Sequence, residues 1–137
     1  MKEDEDLKKR ILEESKIIAV VGLSPDQGKA SNVVASYLIG QGYRIIPVNP
    51  NHSDILGQRS YPSLTDIPEK IDIVDIFMKA ENLLPVVREA VALSPKAIWL
   101  QLGIVNEEAE KLTASGNIPF FMDQCIKIEH AKLFGKK

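Results

Sequence analysis

The richest chemistry in this chain lies at residues 22–31, Gly-Leu-Ser-Pro-Asp-Gln-Gly-Lys-Ala-Ser. Gly22 and Gly28 adopt backbone angles that other residues resist and let a ligand approach closely. Lys29 adds a full positive charge, and Ser24 and Ser31 add hydroxyls. If a helix opens here, its first amides are unpaired and carry about half a positive charge, which suits a phosphate. From Gly28 through Arg44 there is no acidic residue, although the chain has 19 Asp and Glu. A later opening, Asn106-Glu107-Glu108, carries its own acids. The first lacks that complement and would take it from an anionic ligand. Without a ligand, Ser31 would cap the helix and Lys29 would be solvated.

Two familiar phosphate loops fit this segment poorly. A dinucleotide fingerprint needs G-x-G-x-x-G and an acid after the second strand; here only Gly22 and Gly28 stand, and Asn49-Pro50-Asn51 occupies the acid's place. A P-loop needs four residues between its glycines and a hydroxyl after the Lys. Here five intervene, and Lys29 precedes Ala30. A ligand with several phosphates and no required metal suits the loop better.

The remaining chemistry-bearing residues are scattered. Cys125, the one cysteine, follows a strand; an inert thiol is weighed there against one that meets a ligand's sulfur. His130, beside Glu129, suits a structural hydrogen bond, and His52 an exposed loop. Asp72 and Asp75 bracket a strand without pairing for acid–base work. Asp123 suits a cap for the last helix, and Trp99 the core. No Ser/His/Asp arrangement stands out, and no set has metal-ligand spacing.

The elements that must position these residues alternate along the chain. Asp4–Glu14 reads as an amphipathic helix, with Leu7 and Ile11 four apart. The β-branched run Ile17–Val21 reads as a strand buried on both faces, as in parallel sheets. Val33, Val34, Tyr37 and Leu38 share a helical face, ended by Gly40 and Gly42. Strands follow at Tyr43–Val48, Ile71–Phe77, Ala97–Leu102 and Ile118–Met122. Tyr61–Pro68, punctuated by two prolines, reads as loop with one helical turn. Helices follow around Leu83–Val91, with Pro85 tolerable in the first turn, after Asn106 up to Gly116, and over roughly Asp123–Leu133. Right-handed crossovers make this a Rossmann-like, doubly wound α/β parallel sheet of about five strands with helices on both faces. Ligands of such sheets bind at the carboxyl ends of the strands. Five loops are therefore in question: Gly22–Ser31, Val48–Asn51, Phe77–Ala80, Gln101–Val105 and Asp123–Cys125.

Composition bounds the reading. At 137 residues and 45% hydrophobic, one domain over residues 1–137 buries roughly 70% of its unfolded surface. A net charge of −2 argues against a nucleic-acid face. No apolar run approaches the ~20 residues that span a bilayer, and the acidic start is unlike a signal peptide. A single cysteine excludes a disulfide framework. A soluble, cytoplasmic domain is expected.

On these residues the chain resembles the stand-alone CoA-binding proteins, relatives of the CoA-binding domain of the succinyl-CoA synthetase alpha subunit. The likeness runs in order through Val21-Gly22-Leu23-Ser24, Ser31, Gly42–Pro50, Ile55-Leu56-Gly57, Tyr61–Leu64, Asp72–Phe77, Trp99–Gly103, Met122–Ile126 and Glu129-His130. Gln27-Gly28 resembles the Gln-Gly of the synthetase loop. Two departures stand out. Lys29-Ala30-Ser31 replaces the family's Arg-Pro-Ser, which keeps the charge but loses the bidentate fork. Met78-Lys79 follows Phe77 where the family carries Arg.

The resemblance implies a binding module for coenzyme A or an acyl-CoA, a carrier or sensor without evident catalysis. The Ser24 and Lys29–Ser31 region would hold the pyrophosphate, with Gly22, Leu23, Gln27 and Gly28 of the same loop also among the cofactor-binding residues. Asn49, Pro50 and Asn51 would lie beside the adenosine, with Phe77, Met78 and Lys79 adjoining. Gln101, Leu102 and Gly103 would line the pantetheine path. CoA carries about four negative charges, so backbone amides must supplement Lys29, with Lys79 and, less directly, Arg44 as further cations. A small NAD- or ATP-dependent enzyme on the same fold, or a regulatory subunit of a partner protein, are the alternatives.

Overall fold

The computed structural model describes residues 2–134. Five strands form one parallel sheet: β1 (Ile17–Val21), β2 (Arg44–Val48), β5 (Ile73–Ile76), β6 (Ala97–Leu100) and β7 (Phe120–Phe121), in the order β2-β1-β5-β6-β7. Five helices accompany it: α1 (Lys2–Glu14), α2 (Ala30–Gly40), α3 (Leu84–Ala92), α4 (Glu107–Ser115) and α5 (Ile126–Phe134). This is the doubly wound α/β fold that the alternation implies.

Each strand feeds two cores because successive side chains point to opposite faces. Ile18, Val20, Ile45, Ile73 and Trp99 pack beneath α1, α2 and α5, with Leu12, Val34, Leu38 and Ile126. Ala19, Val21, Ile46, Val74 and Ile98 pack on the other face with Val87, Ala90 and Ala109 of α3 and α4. Trp99 is fully buried, tilted against Phe121 at 4.7 Å between ring centroids, and its Nε1 donates to the Gln124 carbonyl at 2.9 Å. Full burial of such a side chain contributes roughly 1.5–3 kcal/mol.

Several boundaries are tighter than the periodicity predicts. β5 starts at Ile73 because Asp72 is occupied at the sheet's lower edge, its Oδ2 accepting from the Lys16 and Ile17 amides at 2.8 and 3.0 Å. β6 stops at Leu100, and the edge strand β7 keeps only two residues. The last helix begins at Ile126, not Asp123. A small antiparallel hairpin, β3 (Asp54–Ile55) and β4 (Gln58–Arg59), turns through Leu56 and Gly57, both at positive φ. Its two-residue strands are too short to show a period. The Tyr61–Pro68 segment carries its one helical turn at Leu64–Asp66, as expected.

Two buried polar features bear on stability. Asp75 lies inside β5, in register with Val20 and Trp99, rather than at the strand's end. It is wholly buried, neither carboxyl oxygen has a hydrogen-bond partner, and burial pushes its pKa well above the usual carboxylate range. On α5, His130 Nδ1 and the Tyr37 hydroxyl are 2.9 Å apart, with Tyr43 edge-on to the imidazole. That is the structural role the sequence suggests for it.

Candidate functional site

The chain runs from β1 outward to β2, then returns to lay β5 on the other side of β1. At this reversal the ladder continues past the strands: the Gly22 amide donates to Val48 O at 3.0 Å and the Phe77 amide to Val21 O at 2.9 Å. Gly22 has φ +83°, and a Cβ there would overlap the Phe77 carbonyl oxygen. Glycine is therefore required, and its backbone stays exposed at the crevice floor. A cavity of about 440 Å³ opens toward β2 and one of about 470 Å³ toward β6, with Met78 lining both.

The first loop is laced by its own short side chains. Ser24 Oγ accepts from the Asp26 amide at 3.0 Å, and Asp26 Oδ1 from the Gly28 amide at 2.9 Å. Ser31 does not cap α2. It stands one residue inside the helix, buried, with its Oγ accepting from the Ser24 amide at 3.0 Å. Lys29 holds the cap position without a side-chain capping bond, and the first turn of α2 contains no acid. At α4, by contrast, Asn106 Oδ1 accepts from the Ala109 amide at 2.9 Å, followed by Glu107, Glu108 and Glu110. The contrast legible in the sequence is thus present in three dimensions.

The second loop is pinned to the first. Asn49 Nδ2 donates to Leu23 O at 3.0 Å, while its Oδ1 accepts from the Asn51 amide at 2.9 Å. Both ends of this amide are used inside the protein, so Asn49 fixes the wall that Pro50 and Asn51 extend.

On the β6 side, two loops are stitched together. The Gly103 amide donates to Asp123 Oδ1 at 2.7 Å, and the Asp123 amide to Ile104 O at 3.1 Å. Asp123 sits at φ +58° and braces this loop instead of capping α5. The first amide of α5, Ile126 N, reaches Gln101 Oε1 at 3.3 Å. Lys8, from α1, is buried here, donating to Gln124 Oε1 at 2.7 Å and Glu129 Oε1 at 2.9 Å.

Of the residues singled out by sequence, Gly22, Asn49, Pro50, Asn51 and Met78 line the first cavity. Phe77, Met78, Lys79, Gln101 and Leu102 line the second. Ser24, Gln27, Gly28, Lys29 and Gly103 lie on the surrounding loops without lining either, and the Leu23 side chain is wholly in the core. Arg44 is at the opposite end of β2, paired with Glu69. Sequence reasoning missed Glu89 and Val86 of α3 in the first cavity and Ile128 of α5 in the second; no local motif marks them. Cys125 is half-buried in the wall of the second cavity. Among the described residues, no group of three His, Cys, Asp or Glu is placed to hold a metal ion, and no helix is long and apolar enough to cross a membrane.

A parallel sheet with a glycine-floored crevice at its switch point and an acid-free helix opening beside it is a Rossmann-like doubly wound fold. The model of the family described as the CoA binding domain matches residues 16–131, and the chain belongs to that family. It is 42% identical over 123 residues to the uncharacterized protein YneT of Bacillus subtilis, covering 90% of this chain and 91% of that one. It is 34% identical over 98 residues to an ADP-forming acetate–CoA ligase of Archaeoglobus fulgidus, covering 70% of this chain but only 15% of the ligase. A solved structure of a hypothetical protein from Pyrococcus horikoshii superposes with a TM-score of 0.91 at 38% identity, covering 96% of this chain and 92% of that one.

Proposed function

We propose that this chain binds coenzyme A, free or acylated, across the crevice and serves as a carrier or sensor of that cofactor. The observation that carries the reading is the opening of α2, with no acid in its first turn and Lys29 at its cap position, beside cavities toward β2 and β6. The pyrophosphate sits at that opening, held by backbone amides and Lys29. The adenosine lies toward Pro50 and Asn51, and the pantetheine arm runs past Phe77 toward Gln101 and Leu102.

The chain gathers little cationic charge for a ligand with about four negative charges. Backbone amides must carry much of the contact; those of Gly22, Ser24, Asp26, Gly28 and Lys29 are bonded within the protein, which leaves the first amides of α2 to supply it. Membership of the CoA binding domain family supports this reading, and the ligase relative contributes no activity to it.

Thermal unfolding with added ligands tests the proposal. A ligand that binds only the folded state raises the melting temperature by mass action. CoA raises it most, with smaller shifts from dephospho-CoA and ADP. Equal shifts from NAD and CoA would overturn the assignment.

A further inference from the structure

The second cavity has a feature that nucleotide binding leaves unused. Its walls are mostly apolar: Val34, Phe77, Met78, Leu102, Ile104 and Ile128. Three residues interrupt them, Lys79, Gln101 and Cys125. Gln101 is only 5% exposed. Its Oε1 accepts from Ile126 N at 3.3 Å, whereas its Nε2 has no partner among the described residues. That nitrogen is not among the sealed, unsatisfied atoms of the interior, so its free donor faces the cavity. An incoming carbonyl can take the place of the water that an accessible donor otherwise binds.

Gln101 and Cys125 are held in fixed relation, because the amide that Gln101 accepts belongs to the residue directly after Cys125. A ligand suited to both is an apolar chain with an amide carbonyl for Gln101 and a sulfur at its end for Cys125. The pantetheine arm of CoA has that chemistry, and at this point the inference rests on the CoA reading above. The cavity walls include no carboxylate or imidazole to act as a general base for acyl transfer. Thiol–disulfide exchange needs only a thiolate and an accessible disulfide.

We infer that Cys125 captures the oxidised form of the cofactor by exchange with CoA disulfide. The Cys125 thiolate attacks one sulfur of the disulfide. The bond between the two CoA sulfurs breaks, a Cys125–CoA disulfide forms, and the second CoA leaves as a thiolate that takes up the proton Cys125 gave up. Electrons balance without a further oxidant. The chain thereby records the redox state of the CoA pool as a covalent, thiol-reversible adduct.

Intact-mass spectrometry of the whole protein tests this, since Cys125 is the sole cysteine. CoA disulfide is expected to give a one-to-one adduct, removed by dithiothreitol, about 100-fold faster than glutathione disulfide at equal concentration. Desulfo-CoA, which lacks the sulfur, suppresses that reaction. Gln101→Glu keeps an acceptor for Ile126 N and removes the donor; its added charge slows both disulfides, and the lost donor slows capture of CoA disulfide about tenfold more than capture of glutathione disulfide. Equal rates for the two disulfides, no protection by desulfo-CoA, or a wild-type ratio of the two rates for Gln101→Glu would each overturn the inference. Calorimetry with desulfo-CoA separates the two readings. Binding without adduct formation defeats the capture alone, and no binding defeats the CoA reading with it.

Discussion

A β-carbon at Gly22 would fall on the carbonyl oxygen of Phe77, so the two strands that flank the switch point meet where no side chain intervenes. That contact keeps the crevice floor flat and leaves backbone, not side chain, facing a ligand. Gly22→Ala would meet both the Phe77 oxygen and a φ of +83°. We expect a loss of about 2–3 kcal/mol in unfolding free energy, read from urea titration, together with weaker CoA binding. Unchanged stability would mean that the two loops separate easily.

Lys29 is exposed at the cap position of α2, with no side-chain capping bond. Lys29→Glu places like charge against the pyrophosphate and is expected to lower CoA affinity about 10- to 100-fold with little change in melting temperature. Unaltered affinity by calorimetry would remove Lys29 from the site.

Asp75 gives the fold a specific pH dependence. Below about pH 4 both folded and unfolded chains keep its proton. Above that the unfolded chain releases it while the buried carboxyl holds on, because burial raises its folded pKa. Stability therefore falls as pH rises from the unfolded value toward the folded one. Asp75→Leu, close in shape and without unsatisfied oxygens, should be more stable than the parent at pH 7 by about 1–3 kcal/mol. The advantage shrinks toward pH 4 in denaturant titrations. A destabilised variant at every pH would show that the carboxyl has a partner.

His130 acts with the opposite sign. Burial lowers its pKa from 6.5, so the unfolded chain binds the proton more readily. Stability from this group is full above that value and is lost as pH falls through the folded pKa. NMR titration of the imidazole should show a midpoint below 6.5; a midpoint above it contradicts the packing described.

Lys8 and Glu129 tie α1 to α5. Lys8→Met leaves the Glu129 carboxylate, whose side chain is 16% exposed, without that partner. A cost of about 2–4 kcal/mol is expected, and adding Glu129→Gln should recover part of it in a double-mutant cycle.

Much of this architecture was legible in residue order. The run Ile17–Val21 announced a sheet covered on both faces, and Gly28–Arg44 announced a helix opening without acids. What stayed hidden depends on long-range contacts. Ser31 and Asp123 both have the side chains of helix caps, yet each is used by a distant amide, of Ser24 and of Gly103. Asp75 looked like the end of a strand because its neighbours are apolar either way; only the register with Trp99 reveals that it is sealed. Cys125 and Gln101 lie 24 positions apart in the chain, and no local pattern shows that they share one cavity.

A crystal structure grown with CoA tests the central claim most directly. The account predicts the pyrophosphate over the first turn of α2, within hydrogen-bonding distance of its backbone amides and near Lys29. CoA bound away from that opening, or the Asp26 carboxylate folded into it in place of the phosphates, would contradict it.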